Sequence, residues 1–143
     1  QDYRFASTMG EAVVRRPGRD LTLVSYGAML YKCLDAAAEL AADGVEAEVI
    51  DLRTLSPLDS ETILESVRRT SKLVVVHEDT RSGGLGAEIA ASVTEAAFEH
   101  LDGPVRRVAA CDIPGVPFSA PLEDAYLPQT KDIVAACREL VAY

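Results

Sequence analysis

The chain has no tryptophan, and its 143 residues include only two histidines and three cysteines. Scarce histidine narrows the ways in which a metal centre or a proton relay can be built. Cys33, Cys111 and Cys137 make no CxxC, and an odd count closes no disulfide framework. They read as buried, inert thiols of a reducing compartment. Positive charge is also short, with 14 Lys and Arg against 23 Asp and Glu and a formal net charge of −9. Such a surface repels phosphate backbones and anionic lipid heads, which disfavours nucleic-acid and membrane partners but leaves a basic protein partner open. No apolar run reaches the roughly 18 residues that a membrane span needs. An initiator methionine and a signal-like stretch are missing too, so Gln1-Asp2-Tyr3 reads as the start of a fragment.

What is present is an ordinary globular composition, 48% hydrophobic and 26% charged, which argues against disorder beyond the first residues. The length suits one domain with its own core. Residues 1–20 read as a leading arm with a short edge strand over 11–16, ended by the turn signal Pro17-Gly18. Leu21 to Tyr26 alternates and is β-rich, and Gly27 marks its exit. Apolar residues at Leu30, Cys33, Leu34, Ala37 and Leu40 or Ala41 then predict a helix over 28–42, stopped at Asp43-Gly44.

The cycle repeats. A strand over 47–52 leads through Ser56-Pro57-Leu58-Asp59 into a helix striped by Ile63, Leu64 and Val67, with Asp59 placed to accept from first-turn amides. A third strand over 72–76 precedes a third helix over 87–98, and a last strand is expected over 105–110. A loop punctuated by Pro114, Pro117, Pro121 and Pro128 leads to a terminal helix over 131–141. Strands alternating with helices across short links predict an α/β domain over 21–143: three layers, with a sheet parallel through its centre.

The stretch from Val74 to Ile89 carries the most information. A short apolar run breaks into polar residues, then glycines, then a new helical pattern, as happens at the carboxyl edge of an open α/β sheet. His77-Glu78-Asp79 invites an acid–base reading, but neighbours on an extended strand face opposite sides, so a structural or interface role for His77 is expected. Gly83, Gly84 and Gly86 precede a helix that can hold an anion, yet Ile89 stands where the dinucleotide fingerprint needs its third glycine. The simpler reading is that they let the chain bend closely over the sheet edge. Asp51 and Arg53, at the neighbouring strand's end, are expected to pair. No G-x-S-x-G elbow is present. The residues alone assemble no catalytic, cofactor-binding or metal site. They leave open an anion or interface site at His77, Arg81, Gly83 and Gly84, which would make the chain an anion-binding α/β module.

Taken together, Asp20-Leu21-Thr22-Leu23-Val24-Ser25-Tyr26-Gly27-Ala28-Met29, Val49-Ile50-Asp51-Leu52-Arg53-Thr54-Leu55-Ser56-Pro57 and His77-Glu78 with Gly83-Gly84 and Ala87-Glu88-Ile89 resemble a known module. It is the transketolase-type C-terminal domain of the E1 β subunit of thiamine-diphosphate-dependent 2-oxo acid dehydrogenases. The resemblance extends to the closing Leu127-Pro128 and Lys131-Asp132-Ile133. It implies a mostly parallel five-stranded sheet with a short antiparallel edge strand at the start. The whole enzyme would decarboxylate a 2-oxo acid and acylate lipoamide on E2. The His77-Glu78 and Gly83-Gly84 pairs look most like branched-chain (2-oxoisovalerate) enzymes, with pyruvate and acetoin versions and single-chain transketolase relatives as alternatives.

Thiamine diphosphate and Mg would then be held by the E1 α subunit and the β subunit's amino-terminal domain, not by this domain, which alone would be inactive. The resemblance further implies contacts with a second β subunit, and docking of the small, basic peripheral-subunit-binding domain of E2. Docking would use Asp102 and the carboxylate of Tyr143; Arg106 stands where some relatives carry a further acid. The implied setting is the bacterial cytoplasm, or the mitochondrial matrix in a eukaryote.

Overall fold

The computed structural model describes residues 8–143, so the first part of the leading arm lies outside the described residues. Five strands form one sheet: β1 (Val13–Arg16), β2 (Leu21–Ser25), β3 (Ala47–Asp51), β4 (Leu73–Thr80) and β5 (Arg106–Ala110). Their spatial order is β1-β3-β2-β4-β5. β1 runs antiparallel to β3, and every other pairing is parallel. The expected α/β sheet, parallel through its centre with an antiparallel edge at the start, is the one that forms.

The central strands are apolar on both faces because helices cover both. Leu21, Leu23, Val49, Val74 and Val76 point into one core, against Leu30, Cys33 and Leu40 of α1 (Met29–Ala42) and Ile133, Val134 and Leu140 of α5 (Thr130–Val141). Val24, Ile50, Leu73 and Val75 point the other way, against Ile63 and Val67 of α2 (Ser60–Thr70) and Ile89 and Val93 of α3 (Leu85–Ala97). Ala36 and Ala37 of α1 are fully buried in the first core, where small side chains let helix and sheet approach closely.

Several details depart from the sequence expectations. β4 continues to Thr80 instead of ending at Val76, because His77 and Thr80 still pair with Ala109 and Ala110 across an irregularity in the ladder. α3 starts at Leu85, earlier than expected. The proline-rich connection contains a further helix, α4 (Ala120–Tyr126); Pro121 sits in its first turn, where the missing N–H costs nothing. Cys33 and Cys137 are buried, and burial pushes both thiols up to about 12. Cys111, expected to be buried, is exposed just beyond β5.

Two local devices lock α2 onto the sheet. The Thr62 amide donates to Asp59 Oδ1 at 3.1 Å, the expected cap, and the Ala12 amide donates to Asp59 Oδ2 at 2.9 Å. One carboxylate thus caps the helix and ties down the segment before β1. Behind it, Thr22 Oγ1 lies 2.6 Å from both Ser66 Oγ and Thr70 Oγ1, a satisfied polar cluster inside the core.

Candidate functional site

The parallel strands give the sheet a carboxyl edge and an amino edge, and the candidate residues divide between them. At the carboxyl edge β4 delivers His77, Glu78 and Asp79. His77 is turned inward and is 0% exposed, whereas Glu78 and Asp79, in the irregular part of the ladder between His77 and Thr80, both lie in solvent. The His77 ring lies parallel to that of Tyr26, with centroids 6.1 Å apart. Neither imidazole nitrogen has a hydrogen-bond partner among the described residues. Burial lowers its pKa; the nearby Asp79 carboxylate opposes that shift and Arg107 adds to it.

The glycines explain how a helix can start directly above this ring. A Cβ on Gly86 would run into His77 Nε2, and one on Gly84 would meet the Thr80 carbonyl and His77 Cε1. Gly83 takes a positive φ of 76°, which turns the chain into α3. His77 therefore fills the space under the glycine turn. Among the described residues no three His, Cys, Asp or Glu side chains gather to hold a metal ion.

Arg81 leaves this group. It follows β4, and its amide donates to the Ala110 carbonyl at 3.2 Å, which places it beside β5. The expected Asp51–Arg53 ion pair gives way to a different arrangement. Asp51 Oδ1 accepts the Arg53 amide at 3.2 Å, and Arg15 of β1 supplies the guanidinium 3.8 Å from Asp51 Oδ2.

At the opposite, amino edge the Asp102 amide donates to the Ser71 carbonyl at 2.9 Å, just ahead of β4. Its side chain lies in solvent. α5 runs against the strand direction and so ends at this same edge. The position of a Cβ on Gly103 would be 3.5 Å from Tyr143 Cβ. Asp102 and Tyr143, far apart in sequence, therefore share one exposed corner.

One apolar feature escaped the sequence reading. Ile113, Val116 and Phe118 between β5 and α4, and Leu122 within α4, are all exposed, Phe118 completely so. The only signal for it was four apolar residues scattered among prolines, a pattern without helical or strand periodicity.

This fold and these two edges define a three-layer α/β domain with the chemistry-bearing residues on opposite rims. The chain belongs to the transketolase C-terminal domain family, whose model matches residues 10–133. It is 42% identical over 140 residues to the mitochondrial pyruvate dehydrogenase E1 component subunit beta of Dictyostelium discoideum, covering 98% of this chain and 39% of that protein. It is 46% identical over 135 residues to the acetoin:2,6-dichlorophenolindophenol oxidoreductase subunit beta of Cupriavidus necator, covering 94% and 40%. It is 39% identical over 139 residues to the 2-oxoisovalerate dehydrogenase subunit beta of Bacillus subtilis, covering 97% and 42%. Among solved structures, a split-gene transketolase in an inactive β4 tetramer superposes with a TM-score of 0.84 at 34% identity, covering 99% of this chain and 45% of that one. The chain thus spans less than half the length of the relatives it matches. No helix among the described residues is long and apolar enough to cross a membrane.

Proposed function

We propose that this chain is the carboxy-terminal assembly and docking domain of an E1 β subunit, working within a 2-oxo acid dehydrogenase complex. The observation that carries the reading is the exposed apolar run Ile113, Val116 and Phe118, continued by Leu122 of α4. Such a patch is costly in water and favours a covering subunit. A second β subunit and an E1 α subunit would be that cover. In the full enzyme, thiamine diphosphate with Mg would supply the decarboxylation chemistry from outside this domain. Asp102 and Tyr143 would offer the corner on which a small, basic E2 domain docks.

The acyl substrate is assigned here only as a class. The branched-chain reading rested on His77-Glu78 with Gly83-Gly84. His77 packs under α3, so that motif speaks for helix seating more than for substrate choice. Pyruvate and acetoin stand beside 2-oxoisovalerate among the relatives.

The test is to pair the full-length β subunit carrying this domain with its α subunit, then assay each substrate with and without thiamine diphosphate. Cofactor-dependent turnover of one of the three is expected, with none from the 143-residue chain alone. Tight thiamine diphosphate binding by the isolated chain would contradict this division of labour. The likeness to a split-gene transketolase favours one second reading, half of a two-chain ketol transferase. Ketol transfer between sugar phosphates by the paired subunits, without lipoamide acylation, would select it.

A further inference from the structure

On the footing of the docking role proposed for Asp102 and Tyr143, we infer that Arg106 extends that corner and recognises an acidic side chain on the partner. The surface that docks there then carries both signs of charge rather than basic groups alone. Arg106 is the first residue of β5 and pairs with Val74 of β4. Asp102 precedes it by four residues, a separation of at most about 14 Å. β5 and α5 run side by side in opposite directions at this edge. The Cβ position of Gly103 is 3.5 Å from Tyr143 Cβ, and three residues further on Arg106 Nη2 sits 3.7 Å from Glu139 Oε2. Glu139 stands one helical turn before Tyr143. Arg106 therefore flanks the corner that Asp102 and Tyr143 share.

Its guanidinium is held without being satisfied. Arg106 Nε is buried and has no hydrogen-bond partner among the described residues. The 3.7 Å gap to Glu139 exceeds the roughly 2.7–2.9 Å of a charge-assisted hydrogen bond, and the Glu139 side chain is 67% exposed. A pair so loose and so open to water contributes little. The Arg106 side chain is itself 38% exposed, which leaves its charge open to a partner.

Size decides what that partner must carry. A protein interface of standard extent buries about 800 Å² on each side, a patch roughly 30 Å across. A domain seated on Asp102 therefore covers Arg106 as well. If its face were wholly basic, a positive group would meet the guanidinium as both lost water, a like-charge contact that opposes binding. An Asp or Glu at that place turns the penalty into a fork-to-carboxylate contact, which guanidinium geometry favours. Asp102, in solvent a few residues away, takes the partner's base. Opposite signs this close also fix the orientation in which the partner docks.

The test is a calorimetric titration of the assembled E1, α subunit included, with the peripheral-subunit-binding domain of its E2. Arg106→Gln should weaken binding about tenfold and Arg106→Glu a further tenfold. Arg106→Lys keeps the charge without the fork and should fall between the wild type and Arg106→Gln. One Asp or Glu of the E2 domain, changed to Lys, should restore binding to Arg106→Glu while weakening binding to the wild type, a reversal that misfolding cannot produce. Unchanged or tighter binding in Arg106→Glu overturns the inference, as does a series of such exchanges without rescue. If Asp102→Ala still weakens binding in either case, the docking role survives alone. No binding to the wild type at low salt overturns both.

Discussion

Gly86 sits directly on the His77 ring: a methyl group at residue 86 would occupy the space of His77 Nε2. The first turn of α3 can therefore lie close over β4 only with glycine at that position. Gly86→Ala should destabilise the domain by about 1–3 kcal/mol, the usual cost of forcing a group into a packed site. Urea denaturation reads this directly. Combining it with His77→Ala should recover part of the loss, although each change alone is destabilising, because the two residues contend for one space. Simple additivity in the double mutant would mean that the contact does not limit the packing.

The same histidine makes stability depend on pH. Burial holds its folded pKa below the ordinary 6.5, with Arg107 adding to the shift and Asp79 opposing it. The unfolded chain therefore binds the proton more readily. The contribution of His77 is fully present above about pH 6.5 and is lost as pH falls toward the folded value. Chemical denaturation between pH 7.5 and 5.5 should show falling stability in the wild type and a flatter profile in His77→Gln. A parallel decline in both would assign the effect to other groups.

Phe118 is fully exposed beside Val116, Ile113 and Leu122. Phe118→Asp should change the stability of the isolated domain by no more than about 0.5 kcal/mol, as expected for a surface site. In the full-length protein it should lower the assembly state measured by analytical ultracentrifugation. Normal assembly of the variant would remove this segment from the interface.

The sheet and its helices were largely legible in the sequence because both cores are written in simple periods. Leu21 and Leu23 alternate with Thr22 and Val24, and the buried stripe of α5 falls at Ile133, Val134, Cys137 and Leu140. The Asp59 cap was readable too, since a carboxylate three residues before Thr62 has one obvious use. α4 was hidden because its Pro121 counts as a breaker anywhere except in a first turn. The contact between Arg107 and the Arg81 carbonyl was hidden for another reason. Arg81 and Arg107 are 26 positions apart and meet only because β4 and β5 are neighbours. A contact made by strand order leaves no local pattern to find. For His77 the sequence supports the expectation of a structural or interface role; its complete burial and the seating of Gly86 on its ring leave no local pattern to read.

The central claim is that this domain docks a partner through the corner shared by Asp102 and Tyr143. The most direct measurement is a calorimetric titration with the E2 peripheral-subunit-binding domain at low and high salt, with wild type and Asp102→Ala. The account predicts binding that weakens as salt rises, weakens again in Asp102→Ala, and saturates at one partner per two chains. No heat of binding at low salt, with the domain folded and dimeric, would contradict it.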